Sequence, residues 1–206
     1  MTDDTLAATR RSLHAIAELL IAGPQYRQHK TIRLAVTPAG IGGTVLPIRV
    51  EGADLVWADG RTPLTGTCRE LAALAGVEPG VAENLYKDTS GVSLDDPLSV
   101  DPAAAALVLG WFAMGDKALR AFAPEQEPIL WPEHFDLGIA FDDVNYGISP
   151  GDTGHPAPYA YVGPWTTQTG PFWNASFGAA RSVDDLPTVE SIAEFFEEGK
   201  AAVNRV

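Results

Sequence analysis

The sequence predicts an α+β fold: a single domain, residues 1–206, in which an antiparallel sheet packs against a buried Ala-rich helix and the terminal helices flank it. Three observations predict it. Short segments of alternating apolar and polar residues fall in two groups, over 32–60 and 134–180, and most of the turns joining them are too short for parallel crossovers. Between the groups lies "DPAAAALVLGWFAMGDKALRAFAP", apolar on nearly every side of its first half and bounded by proline at both ends. Both ends of the chain carry apolar residues at helical spacing.

Over residues 5–22, Leu6, Leu13, Ile16, Ala17 and Leu20 recur at helical spacing; Asp4 or Thr5 caps the start and Gly23-Pro24 ends the helix. Ile32, Leu34 and Val36 then alternate with Arg33 and Ala35 as a half-buried strand. "TPAG" turns the chain, and "GTVLPIRVEG" and "ADLVWADG" complete a three-stranded meander, with Pro47 at an edge or a bulge. Thr67 and Glu70 form a capping box for a short helix that Gly76 stops. Residues 77–100 have no clear period and make a long connection with one helical turn at 82–86. Asp101 caps the central helix, 102–122. Residues 134–142, 158–163 and 171–180 read as three more strands, and Val189, Ile192, Phe196 and Val203 form the apolar stripe of a last helix. Two strand groups, each followed by a helix, leave a weak pseudo-symmetry.

Composition narrows the function. A net charge of -13, from 27 acids against 14 Lys and Arg, repels phosphate backbones and anionic lipid, so neither nucleic acid nor membrane is expected as a partner. The one cysteine, Cys68, excludes an intrachain disulfide and a Cys-rich zinc site. No basic-then-apolar leader opens the chain, and no run reaches the ~18 apolar residues of a membrane span, which points to the cytoplasm. Ten Arg against four Lys, with abundant Ala, suit a GC-rich bacterial coding bias. "GIGG" at 40–43 lacks the Lys-Ser/Thr of a phosphate loop, no GxSxG is present, and no cofactor is expected. Cys68 in a first helical turn, with no histidine adjacent in sequence, reads as structural, and His14 and His29 as surface or capping residues.

The stretch "LWPEHFDLGIAFDDVNYGISPGD" carries the candidate site. As an extended strand it puts Phe135, Leu137, Ile139 and Phe141 on one face and His134, Asp136, Ala140 and Asp142 on the other. His134 and Asp136 then stand about 7 Å apart on one side, able to grip a ligand between them. The loops that follow hold Tyr146, Tyr159, Tyr161, Trp165, Trp173 and Asn174, rings and an amide of the kind that line small-molecule pockets. His134, Asp136 and His155 also suit the facial triad of non-haem iron oxygenases.

The order "IRLAVTPAG", a meander, a long buried helix, "WPEHFDLGIAFDD", "PYAYVGPW" and "GPFWNASFGA" resembles an uncharacterised family of bacterial proteins, over roughly residues 8–180. "FDL" at 135–137 and "FW" at 172–173 carry the likeness, and His134 is not part of the family pattern. The resemblance implies the order of elements and no reaction. The leading expectation is a cytoplasmic protein that binds a small molecule in an aromatic and acidic cleft. The alternatives are a metal-dependent oxygenase or hydrolase using His134 and Asp136, and an interaction protein that forms a homodimer through its aromatic loops.

Overall fold

The computed structural model describes residues 2–203. The chain is α+β and divides into two compact units. The first runs to Gly110 and includes Leu130–Phe135; the second comprises Trp111–Ile129 and the chain from Asp136 onward. Strand pairing within each is antiparallel.

In the first unit, α1 (Asp3–Ile16) is capped by the Thr2 hydroxyl, which accepts from the Thr5 N–H at 3.3 Å, ahead of the expected Asp4 or Thr5. The helix does not end at Gly23-Pro24. It widens into a π-helical turn over Ala17–Ala22 and continues as α2 (Gly23–His29). The cause lies in Pro24, which has no N–H to give and whose ring would strike the carbonyl four residues back in a regular α-helix. The wider turn, in which the Gly23 N–H reaches back to the Glu18 carbonyl, accommodates it. It also frees the Leu19 carbonyl, which accepts from the Gly80 N–H at 2.9 Å.

The expected three-stranded meander has five strands: β1 (Leu34–Thr37), β2 (Gly40–Gly43), β3 (Arg49–Glu51), β4 (Asp54–Trp57) and β5 (Gly60–Pro63). "GTVLPIRVEG" breaks in the middle because its backbone bonds to a side chain instead of a strand. The buried Gln25 amide accepts from Val45 N and Leu46 N at 3.1 and 3.3 Å and donates to the Thr31 and Arg33 carbonyls at 3.2 and 2.9 Å. Leu130 of β6 (Ile129–Trp131) pairs with Leu34 on the other side of β1. α3 (Cys68–Ala75) has the predicted Thr67–Glu70 capping box and ends at Gly76, at φ 67°.

α4 (Pro102–Phe122) starts where the sequence places it, with Asp101 Oδ1 accepting from Ala104 N at 2.9 Å. It is buried along one side only: Ala104, Ala105 and Val108 are in the core, whereas Ala103, Ala106 and Gly110 face out. Small apolar residues there form an outer face, which hydropathy alone did not reveal.

The second unit is a four-stranded sheet in the order β10-β9-β8-β7: β7 (Asp136–Phe141), β8 (Val144–Ser149), β9 (Tyr159–Pro164) and β10 (Ala179–Ser182). Asp142 and Asp143, at φ 52° and 61°, make the tight turn that pairs β7 with β8. The chain beyond Asp142 is therefore a strand where a loop was expected. Residues 171–178 form a turn, closed by reciprocal N–H···O bonds between Ala175 and Gly178, and the strand begins only at Ala179. The second half of α4 lies on β8: Trp111 Nε1 donates to the Ser149 carbonyl at 3.0 Å, and the Phe122 ring meets Tyr146 at 4.6 Å. α5 (Val189–Ala202) covers β9, where a Cβ at Gly199 would come within 2.7 Å of Val162.

Candidate functional site

In β9, Tyr159 and Tyr161 stand on one face while Ala160 and Val162 are buried on the other. Each tyrosine hydroxyl donates to a carboxylate, Tyr159 to Asp152 at 2.7 Å and Tyr161 to Asp136. Tyr161 reaches Asp136 by lying down across the sheet. Gly138, Gly147 and Tyr161 are cross-strand neighbours in one row, and the two glycines leave a trench under the ring. A Cβ on Gly138 would come within 2.8 Å of the Tyr161 hydroxyl, and one on Gly147 would collide with it. Burial first, and then the carboxylates, push both phenols well above the ordinary tyrosine range, so both remain donors.

Asp152 organises the loop between β8 and β9. Its Oδ1 accepts from the Gly154 and His155 N–H groups at 2.6 and 2.8 Å, and its own N–H donates to the His155 carbonyl at 2.7 Å. Burial alone would raise this carboxyl, but the Tyr159 hydroxyl and the two amides hold it below the ordinary 3.8. It is anionic at neutral pH. The turn brings the His155 ring to 4.9 Å from Tyr159, and Phe177 lies 6.2 Å from Tyr159, inclined by 27°.

Beside these rings opens a groove of about 300 Å³, lined by His155, Pro156, Pro158, Tyr159, Asn174 and Ser182. Asn174 forms its far wall. Its amide donates to the Ala180 carbonyl at 3.0 Å and accepts from the Ala180 N–H at 2.8 Å, covering the backbone on the outer edge of β10. A larger trough of about 530 Å³ runs along α5, but its acids, Glu190, Glu194, Glu197 and Glu198, come from one helix and no ring joins them. It is a solvated helix face; the groove is where chemically different groups converge.

Of the residues singled out in the sequence, His155, Tyr159 and Asn174 line the groove, and Asp136 and Tyr161 are paired behind Tyr159. The others lie elsewhere. Tyr146 is in the core of β8 against Phe122 and Phe196. Asp142 sits in the β7–β8 turn. Trp165, 63% exposed, donates through Nε1 to Asn145 at 3.2 Å, and Trp173 packs edge-on against Phe172. His134 is exposed in the turn before β7, 3.9 Å from Glu133. That turn also corrects the expected strand. Phe135 has φ 51°, so the two-residue alternation begins only at Asp136 and His134 does not share its face. Phe135 is nonetheless buried, stacked on His14 at 5.2 Å.

The triad of His134, Asp136 and His155 is not assembled. Among the described residues no three His, Cys, Asp or Glu side chains are grouped to hold a metal. His14 is not a surface residue: its Nε2–H donates to the Pro132 carbonyl, 2.6 Å away, and burial lowers its pKa to about 4. Sequence reasoning passed over Asp152, Phe177 and Ser182. Only Asp152 carried a signal, since "GDTGHP" has the Asx-turn composition that fixes a loop on a carboxylate.

No family model, curated protein or solved structure matches the chain. Among the described residues, no helix is long and apolar enough to cross a membrane.

Proposed function

We propose that the protein is a cytoplasmic binder of a small ring compound, neutral or positively charged, in the groove beside His155 and Tyr159. One observation carries the reading: a groove of about 300 Å³ has two rings on its wall and an ionised carboxylate, Asp152, hydrogen-bonded directly to one of them. The space suits a small ligand, at the lower end of the sizes such pockets take. Tyrosine faces attract cations by roughly 0.5–2 kcal/mol. Asp152 adds its charge, and the net charge of -13 disfavours anions at long range. The His155 imidazole and the Ser182 hydroxyl supply directional polar contacts.

Titration with small aromatic amines, their neutral isosteres and the matching carboxylates, followed by backbone amide shifts, tests this. The shifts should concentrate at 154–159 and 180–182, with affinity falling from amine to neutral compound to carboxylate, and Tyr159→Leu should abolish them. Binding that favours the carboxylates, or shifts that survive Tyr159→Leu, would overturn the reading.

A further inference from the structure

In the second unit, β9 runs out onto an exposed indole. Trp165 follows the strand, and its backbone N–H extends the pairing with β8 by one bond, donating to the Asp143 carbonyl at 2.9 Å. Side chains alternate along a strand, so Trp165 lies on the face that carries Tyr161 and Gly163, and the register puts Asn145 of β8 opposite Gly163 on that face. The indole is 63% exposed yet held in place, since Nε1 donates to Asn145 Oδ1 at 3.2 Å. An indole N–H only donates, so the amide atom facing it is the oxygen. The Nδ2 amine of Asn145, with two donors, is left for another partner.

Gly163 is the floor beside this ring. A Cβ there would stand 3.5 Å from the Phe177 carbonyl and 3.8 Å from the Asn145 Cβ, so bare backbone is bordered on both sides, with Trp165 at the end. Phe177 is itself 39% exposed. Single exposed apolar side chains are ordinary on a protein surface. Two large rings around one glycine, with the exposed Asn145 and Ala140 next in the same cross-strand row, make a patch. Asp143, whose carbonyl holds Trp165, is exposed in the adjoining β7–β8 turn. The patch stands apart from the groove: Tyr159 and Trp165 are separated by about 20 Å, at the ~3.3 Å rise per residue of a strand.

We propose that this patch is a carbohydrate site, in which a neutral pyranose with equatorial hydroxyls stacks its C–H face on Trp165 beside Gly163. Such a sugar has apolar C–H faces and a rim of hydroxyl groups. The face of the indole is electron-rich and attracts the C–H groups, as it attracts the positive edge of another ring. The Asn145 amine donates to a hydroxyl oxygen, and Asp143 supplies a carboxylate for a hydroxyl proton. The missing side chain at Gly163 lets the sugar approach the backbone closely. Other stacking ligands fit less well. A nucleotide would bring phosphate to a surface of net charge -13 with a carboxylate alongside. An ammonium ion would gain from the indole and from Asp143, but it offers no acceptor to the Asn145 amine. The sugar uses all three groups.

Titration of the intact protein with cellotetraose, a neutral chain of β-linked glucose, followed by amide and indole N–H shifts, tests the site. The Trp165 indole N–H, the Asn145 side-chain amide and the backbone amides of 163–166 should shift together, with a millimolar Kd that is the same at low and high salt. Ligand in the groove would instead shift 154–159 and 180–182. Trp165→Ala, at an exposed position, should abolish the shifts, and Asn145→Ala, which keeps the ring, should raise the Kd several-fold. No shift of those groups up to the solubility of cellotetraose, or shifts that survive Trp165→Ala, would overturn the proposal. So would tetramethylammonium moving the Trp165 indole N–H where cellotetraose does not, which would mark a cation site.

Discussion

Single side chains in this protein serve as fasteners through more than one bond at a time. Tyr161 fills the trench over Gly138 and Gly147 and satisfies Asp136 at its far end. Gly147→Ala should therefore destabilise by ~2 kcal/mol or more, because the new Cβ meets both the Tyr161 hydroxyl and the Leu137 carbonyl. Tyr161→Phe, which removes only the donor to a part-buried carboxylate, should cost about 1–2 kcal/mol in urea unfolding. His14 sets a pH dependence of its own. Held neutral in the fold with a pKa of about 4 against an ordinary 6.5, it binds fewer protons folded than unfolded between those values. Its contribution is complete above pH 6.5 and is lost as pH falls toward 4, by up to about 3 kcal/mol, so His14→Gln should flatten the stability curve in that window. None of these roles was legible in the sequence. A glycine trench needs three strands in register, and a neutral buried imidazole needs the Pro132 carbonyl, 118 residues away in the chain.

At the scale of elements, local signals were legible and non-local ones were not. Asp101 before Pro102, Thr67 with Glu70, and Gly76 each mark a helix end by contacts within a few residues, and each marks it correctly. Asp101→Ala should accordingly lower stability by ~1 kcal/mol, read as a lower denaturation midpoint. Gly23-Pro24 carried the same kind of signal, yet the helix runs on through it, since the π-helical turn absorbs the proline and Gly80 occupies the freed carbonyl. Gln25 likewise replaces part of a strand with a side chain, and Gln25→Ala should leave the Val45 and Leu46 N–H groups and the Thr31 carbonyl unpaired, the Arg33 carbonyl keeping the Thr44 hydroxyl, at a cost of roughly 3 kcal/mol. The run 130–152 shows the limit most clearly. Its alternation from Asp136 onward is real, but the positive φ of Phe135 turns His134 away, and Asp142, read as part of a polar face, makes the hairpin turn together with Asp143.

At the scale of the molecule, the acidic surface and the groove lead to one chemical expectation, a small cationic or neutral ring held on Tyr159 and His155 above the Asp152 carboxylate. Half of that site was visible in the sequence as clustered tyrosines beside acids. The rest depends on the loop that Asp152 folds and on the edge of β10 that Asn174 covers, both products of strand pairing. The most direct measurement is a crystal structure of the protein soaked with a small aromatic amine at a concentration near its Kd. The account predicts its ring against Tyr159 and His155, with the amine directed toward Asp152. An amine found only along the acidic trough of α5, among Glu190, Glu194 and Glu197, with the groove empty, would contradict it.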